Sequence, residues 1–385
     1  MNKKVIRIIT RLNVGGPSKH VSWLSNGLDQ KGWHNILVSG KVEADENDMS
    51  EFLCKFNIKH IESKNMKRSI SLKHDYKSIV EIYKLLIKIR PKIVHTHMSK
   101  AALLGRLAVM FYNFFNADKI KTVHTFHGHT FQGYFSPLKE KIFLNIERFL
   151  ARFSTDKIIT ISKQQQDEIL DRFKVGKKEQ HIQINLGIDT NFASQLDKKS
   201  FRNDYNIPDG SKVFGIVGRI ADIKNHELFI DSVKYFNKNY THENIYFVVI
   251  GDGERFFVEN LKNIAKDVKN IIFSGNQSNP SYFYGALDYL VLTSKNEGTP
   301  VSILEAFAAE IPVISAAVGG VVDIIGNNER GYLIEANKEE FAKHYDKMLR
   351  VDCHIKVQEA KNFVENNYSI ESLVNNVDGL YKKIT

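Results

Sequence analysis

The run Asn296-Glu297-Gly298-Thr299-Pro300-Val301-Ser302-Ile303-Leu304-Glu305-Ala306 carries the strongest chemical signal in the chain. Two carboxylates stand eight positions apart, one just before a Gly-x-Pro turn and the other inside an apolar, helix-forming stretch. Each can accept two hydroxyl hydrogen bonds, bidentate on a diol, so the pair suits recognition of a polyol. Arg219 and Lys224 lie five residues apart behind another apolar run. They offer a planar fork and a mobile point charge to one anionic group. Gly15 and Gly16, followed by Pro17, let backbone amides approach an anion without interference from Cβ. Their loop lacks the Gly-Lys-Ser/Thr of a Walker A loop and the third glycine of the dinucleotide fingerprint. Gly251-Asp252-Gly253 falls short in the same way, with Phe256 where the third glycine belongs. His124, His127 and His129 invite a zinc reading. Alternation along a strand scatters them, and no carboxylate or cysteine is spaced to complete a set, so no metal and no cofactor are expected. His95 and His97 close another strand and suit a structural role as well as contact with substrate.

Positioning these residues requires strands that end where they begin. Tyr289–Ser294 reads as a buried strand, so the order around the glutamates is strand, glycine turn, helix. In a parallel sheet that loop opens at the carboxyl edge, where the new helix points free N–H groups outward. Pro300 suits the first helical turn, Glu297 stands at the mouth of the loop, and Glu305 lies about two turns in. The same alternation runs along the chain. Strand-like runs occur at 5–10, 35–39, 93–96, 120–125, 157–162 and 181–186, then at 213–217, 245–250, 270–274, 289–293, 312–315 and 331–334. Strands separated by helix-length segments predict two parallel sheets in series, an α/β architecture. A polar stretch from Gly187 to Gly210 marks the break, placing domains at 1–190 and 191–369.

At 385 residues the chain exceeds what one core usually supports. Two cysteines, Cys54 and Cys353, exclude a disulfide framework and a cysteine metal site. No signal-peptide h-region precedes the first strand, and no uncharged run approaches the roughly 20 residues that cross a bilayer, so a cytosolic protein is expected. The net charge of +10 is uneven. Residues 1–195 carry 32 Lys and Arg against 18 Asp and Glu, whereas residues 196–385 carry 22 against 26. A basic first half implies an anionic partner. Nucleic acid is disfavoured, because no helix-turn-helix, zinc-finger or aromatic-basic signature is present. The aromatic run Val109–Phe115 beside basic residues instead predicts peripheral attachment to an anionic membrane surface.

The Glu297-to-Glu305 motif, with its Ala306–Ile314 continuation, resembles that of the retaining family 4 glycosyltransferases. Asn185-Leu186-Gly187-Ile188-Asp189 is similar to that family's interdomain segment. The resemblance covers nearly the whole chain and implies the GT-B fold: two doubly wound Rossmann-like domains facing each other across a cleft. It implies an acceptor-binding first domain, on which the last helix (about 370–385) packs back, and a second domain that binds a nucleotide sugar. Residue by residue, Glu297 would contact the donor sugar and Glu305 the ribose, with Gly298, Thr299 and Pro300 also binding the donor. Arg219 and Lys224 would neutralise the leaving diphosphate, which Gly15 and Gly16 face. Asn276, in the Ser274–Gln277 loop, would sit by the base, and His127 would contact the sugar. Asn225 departs from the glycine often found after the lysine. The stretches Pro91–Arg106 and Thr125–Ser136 resemble enzymes that assemble bacterial surface polysaccharides. That implies a UDP-hexose or UDP-N-acetylhexosamine donor and a polyprenyl-diphosphate-linked saccharide acceptor. The alternatives on the same fold are a UDP-sugar 2-epimerase and a glycan phosphorylase; outside catalysis, the alternative is a nucleotide-sugar-binding protein.

Overall fold

A computed structural model describes residues 3–13, 15–43, 46, 48–128 and 136–385. The chain forms two compact units, one of residues up to Gly187 together with Ile370–Thr385, the other Ile188–Ser369.

The first unit is built on seven parallel strands: β1 Lys4–Arg11, β2 His34–Gly40, β3 Lys59–Ser63, β4 Ile93–His97, β5 Lys121–Phe126, β6 Lys157–Thr160 and β7 His181–Gln183, in the order β3-β2-β1-β4-β5-β6-β7. Its central strands β1, β4 and β5 are buried on both faces because helices cover both. Ile6, Ile8, Val38 and Val94 pack with Leu104, Ala108 and Tyr112 on one side. Val5, Ile93 and Val123 pack with Leu24, Leu28, Leu380 and Tyr381 on the other. The helix Ile370–Ile384 therefore belongs to this core, and Trp33 Nε1 donates to Asp378 Oδ1 at 2.8 Å. Gly27 leaves room for it, since a Cβ there would collide with Val374. The sequence reading contains six strands here and misses β3. Lys-His-Ile-Glu-Ser offers one large apolar residue and lies at the sheet edge, so burial writes little pattern into it.

The second unit holds β8 Lys212–Val217, β9 Ile245–Ile250, β10 Ile271–Gly275, β11 Tyr289–Leu292, β12 Val313–Ala316 and β13 Tyr332–Ile334, all parallel, in the order β10-β9-β8-β11-β12-β13. Aromatic side chains dominate one face, where Phe214, Phe229, Phe247 and Tyr345 are fully buried. In both units the strand order reverses beside the first strand, between β1 and β4 and again between β8 and β11. Loops leaving the carboxyl ends of those pairs diverge and open a crevice, the usual place for a ligand in an open α/β sheet. No helix among the described residues is long and apolar enough to cross a membrane.

Candidate functional site

In the second unit, the reversal between β8 and β11 is where the Arg219–Lys224 loop and the Glu297 loop emerge. Lys224 Nζ lies 2.6 Å from Glu297 Oε1, and Ser294 Oγ donates to the same oxygen at 2.6 Å. The lysine's backbone is held too: Thr293 Oγ1 donates to the carbonyls of Lys224 and Asn225 at 3.2 and 2.9 Å. Asn225 adopts the left-handed conformation at φ 51°. Only glycine and, next best, asparagine enter that region at low cost, so the departure noted in sequence keeps the backbone requirement intact. Arg219 is exposed and makes no ion pair or hydrogen bond with the described residues. An exposed guanidinium and a paired ammonium thus share one sheet edge.

The carboxylates differ in their surroundings. Glu297 is partly buried at the loop's mouth, whereas Glu305 sits on the helix Val301–Ala308 and accepts a hydrogen bond from Tyr284 Oη at 2.8 Å. Tyr284 is fully buried, and burial plus the glutamate's charge push its hydroxyl pKa well up, so it stays a donor. Pro300 precedes the helix as its cap rather than occupying the first turn; the amides of Ile303 and Leu304 reach back to its carbonyl. Asn276 is exposed beyond β10, in a loop braced where Gln277 Nε2 and Tyr205 Oη both donate to the Ser274 carbonyl.

The glycines separate into two kinds. A Cβ on Gly251 would collide with the Gly218 carbonyl, one on Gly253 with that of Ile220, and one on Gly320 with that of Gly298. Those glycines let neighbouring loops touch, which accounts for the Gly-Asp-Gly turn without any nucleotide. Gly16 and Gly298 are different. A Cβ on either would meet open space, and neither adopts positive φ. Gly15 is nearly as open, with only Pro17 at 3.9 Å, and its φ of 164° is extended backbone. Packing and conformation therefore leave their small size unexplained, while a ligand approaching the backbone would require it.

In the first unit the corresponding edge holds histidines. His97, at the end of β4, places Nδ1 2.9 Å from Nε2 of His127, which follows β5. His20, four residues beyond Gly16, packs its ring edge-on against His127 at 4.7 Å. Burial lowers the pKa of His127 to about 4 and drives those of His20, His95 and His97 well below the ordinary value. All four rings are neutral at pH 7. The histidines adjacent in sequence do separate: His124 turns into the interior, where its Nδ1 donates to the Thr96 carbonyl, and His129 lies outside the described residues. A cluster nonetheless forms, because His127 is joined by His20 and His97 from two other elements, and each brings a nitrogen within 4.8 Å of the others. The sequence reading places His20 in a loop that faces the diphosphate but gives no role to its ring, nor to Ser294 or Tyr284. The Ser-x-x-Glu spacing flags Ser294, and the Gly-Gly-x-x-x-His spacing flags His20; nothing local flags Tyr284.

Two family models cover almost the entire chain: Glycosyltransferase Family 4 over residues 14–192 and Glycosyl transferases group 1 over residues 197–370. An Escherichia coli UDP-Gal:α-D-GlcNAc-diphosphoundecaprenol α-1,3-galactosyltransferase is 30% identical over 324 residues, covering 82% of this chain and 81% of that protein. CapM, a capsular polysaccharide biosynthesis glycosyltransferase of Staphylococcus aureus, is 26% identical over 92% of this chain and 97% of its own. Among solved structures, a Rickettsia africae glycosyltransferase superposes with a TM-score of 0.82 at 21% identity, covering 100% of this chain and 99% of its own. Anabaena HepE, solved in complex with UDP, superposes at 0.80 and 16% identity, covering 99% of this chain and 100% of its own. The chain is a glycosyltransferase: it belongs to family 4 and has the GT-B fold.

Proposed function

We propose that this transferase moves a hexose or N-acetylhexosamine from a UDP-sugar to a polyprenyl-diphosphate-linked saccharide with retention of anomeric configuration, in the assembly of a cell-surface polysaccharide. The observation that carries the donor half is the pairing at the β8/β11 reversal: an exposed Arg219 with no partner among the described residues, a Lys224 already bonded to Glu297, and an uncrowded Gly298 on one loop edge. HepE, a structural neighbour, has been solved with UDP, and the E. coli relative is named for UDP-Gal and a diphosphoundecaprenol acceptor.

In this reading Arg219 and Lys224 neutralise the departing diphosphate, with Gly15 and Gly16 supplying backbone amides. Fixed cations and amides placed where charge develops are usually the largest catalytic contribution. They make a divalent ion unnecessary. Glu305 takes the ribose hydroxyls, Asn276 borders the base, and Glu297, Gly298, Thr299, Pro300 and His127 hold the sugar as the anomeric carbon gains positive charge. The acceptor hydroxyl attacks from the face the phosphate leaves, and a phosphate oxygen takes its proton.

The same proposal places peripheral membrane attachment on the helices Ser99–Phe115 and Pro137–Phe153, and two features support it. Phe114 is 80% and Phe115 70% exposed, and Leu138, Ile142, Phe149 and Phe153 are exposed on the second helix beside Lys139, Lys141 and Arg152. Apolar side chains among lysines and arginines suit the interface of an anionic bilayer. Val109 and Tyr112 of the aromatic run are instead buried in the core.

The deciding experiment incubates the protein with a panel of nucleotide sugars, a polyprenyl-diphosphate-linked saccharide and EDTA, and reads the product's anomeric configuration by NMR. A retained linkage formed in EDTA supports the reading. Inverted product, dependence on added manganese, or epimerised donor without acceptor would overturn it.

A further inference from the structure

Arg7 is fully buried in the middle of β1, where a parallel sheet ordinarily places an aliphatic side chain. Arg106, the other fully buried arginine of this unit, has Nη2 2.6 Å from the carboxylate of Glu147. Arg7 makes no ion pair among the described residues. Its Nε donates to Ser25 Oγ at 3.1 Å, and its Nη2 to Asn35 Oδ1 at 3.1 Å. Asn35 is oriented from its other end, where Nδ2 donates to Asp29 Oδ1 at 2.9 Å, leaving the oxygen for the guanidinium. Its Nη1 reaches His95 Nδ1 at 3.0 Å and His97 Nε2 at 3.4 Å, and the guanidinium also bonds the Tyr381 hydroxyl. Burying a guanidinium without a carboxylate is costly, and a function that needs a permanent donor would offset that cost.

Arginine can only donate. His97 Nε2 must therefore present its lone pair, which puts the proton of the neutral ring on Nδ1. That Nδ1 faces His127 Nε2 at 2.9 Å, so His127 accepts there and carries its own proton on Nδ1. By the same logic His95 accepts at Nδ1, where Tyr381 Oη also approaches to 2.7 Å as a second donor, and donates from Nε2 to Thr125 Oγ1 at 2.7 Å.

We propose that Arg7 is a positioning residue which sets, through His97, the tautomer in which His127 offers Nδ1–H to an oxygen of the substrate. This rests on the assignment of His127 to the sugar. Neutral rings are required for one proton per ring to have a defined place, and burial, with Arg7 adding to it at His97, keeps them neutral. A divalent ion held by His20, His97 and His127 is the competing reading of the same cluster. Ligation through His97 Nδ1 would move its proton to Nε2, pointing it at the Arg7 donor, whereas metal-bound histidines hand that proton to an acceptor. The ion would also add positive charge near a guanidinium that has no carboxylate partner among the described residues.

The test uses the full-length protein labelled with 15N-histidine, whose long-range 1H–15N correlations at about pH 7.5 report each tautomer. His97 and His127 are expected as Nδ1–H and His95 as Nε2–H. His127 found as Nε2–H, or a His97 ring titrating near its ordinary value of about 6.5, overturns the proposal. Arg7→Met should mix the tautomers and lower kcat roughly tenfold to a hundredfold, with little change in donor KM. Arg7→Lys, which keeps a donor, should recover the tautomers and most of the rate. Unchanged tautomers in Arg7→Met also refute it. Should that variant not fold, the wild-type and Arg7→Lys spectra still decide. Stoichiometric zinc binding by calorimetry, with shifts at His20, His97 and His127, would establish the metal reading instead. If His127→Ala turns over like wild type, the assignment of His127 to the sugar fails whatever the tautomers. If His127 is required yet carries its proton on Nε2, only the relay fails.

Discussion

Lys224 cannot serve Glu297 and a diphosphate equally, and this competition makes an unusual prediction for Glu297→Gln. The ammonium lies 2.6 Å from the carboxylate, with side-chain exposures of 26% and 10%. Exposed ion pairs contribute roughly 0.2–1 kcal/mol, and breaking a buried one costs about 3–5 kcal/mol. A partly buried pair falls between, at about 1–2 kcal/mol. Glu297→Gln releases Lys224 from that pairing, so UDP should bind roughly five- to thirtyfold more tightly. The same variant should lose about a hundredfold or more in kcat with the full donor, because a contact near the reacting carbon tightens in the transition state. Lys224→Met should weaken UDP by roughly ten- to a hundredfold, the value of a hydrogen bond to a charged group. In the double variant UDP affinity should match Lys224→Met alone, since the glutamate acts on the nucleotide only through the lysine. Isothermal calorimetry with UDP and steady-state kinetics on the three variants give every quantity needed. If Glu297→Gln weakens UDP more than about threefold, the carboxylate contacts the nucleotide and the division of labour is wrong. Additive single effects would mean that the ion pair carries no coupling.

Glu305→Ala should weaken UDP and the intact donor alike, by roughly ten- to a hundredfold, while Tyr284→Phe, which removes the 2.8 Å bond to that carboxylate, should cost about fivefold; calorimetry on both variants checks the order. Glu147→Ala leaves the fully buried Arg106 without its 2.6 Å partner and should destabilise the first unit by about 3–5 kcal/mol in urea melts. His20, His95, His97, His124 and His127 all have folded-state pKa values below the ordinary one, so the unfolded chain takes up protons first as pH falls. Stability should be insensitive to these groups above about pH 6.5 and decline below it, by up to roughly 1.4 kcal/mol per pH unit for each ring, with the His127 share exhausted near pH 4; urea midpoints at several pH values measure the slope. Binding to anionic liposomes should fall steeply with salt, and Phe114→Ser with Phe115→Ser should weaken it; equal sedimentation with neutral vesicles would remove the electrostatic part.

The sheets were legible in the sequence because burial on both faces writes unbroken apolar runs, as in Ile245–Ile250 and Val213–Val217. Edge strand β3 was not, since one face of Lys59–Ser63 meets water and the pattern thins out. The Glu297 loop was legible for a related reason: a strand, a glycine turn and a helix follow one another between Tyr289 and Ala308, so local chemistry and local geometry coincide. Nothing local relates Lys224 to Glu297, 73 residues apart, or Tyr284 to Glu305. Those contacts exist because parallel strands return the chain to the same edge after each helix, and the order β8-β11 sets two distant loops side by side. The histidines show the limit most clearly. Spacing along the chain groups His124, His127 and His129, whereas the fold turns His124 inward and gathers His20, His97 and His127 into one cluster, with the buried Arg7 against His97. Which nitrogen of each ring holds the proton follows from who faces it across the sheet, and sequence order carries no record of that.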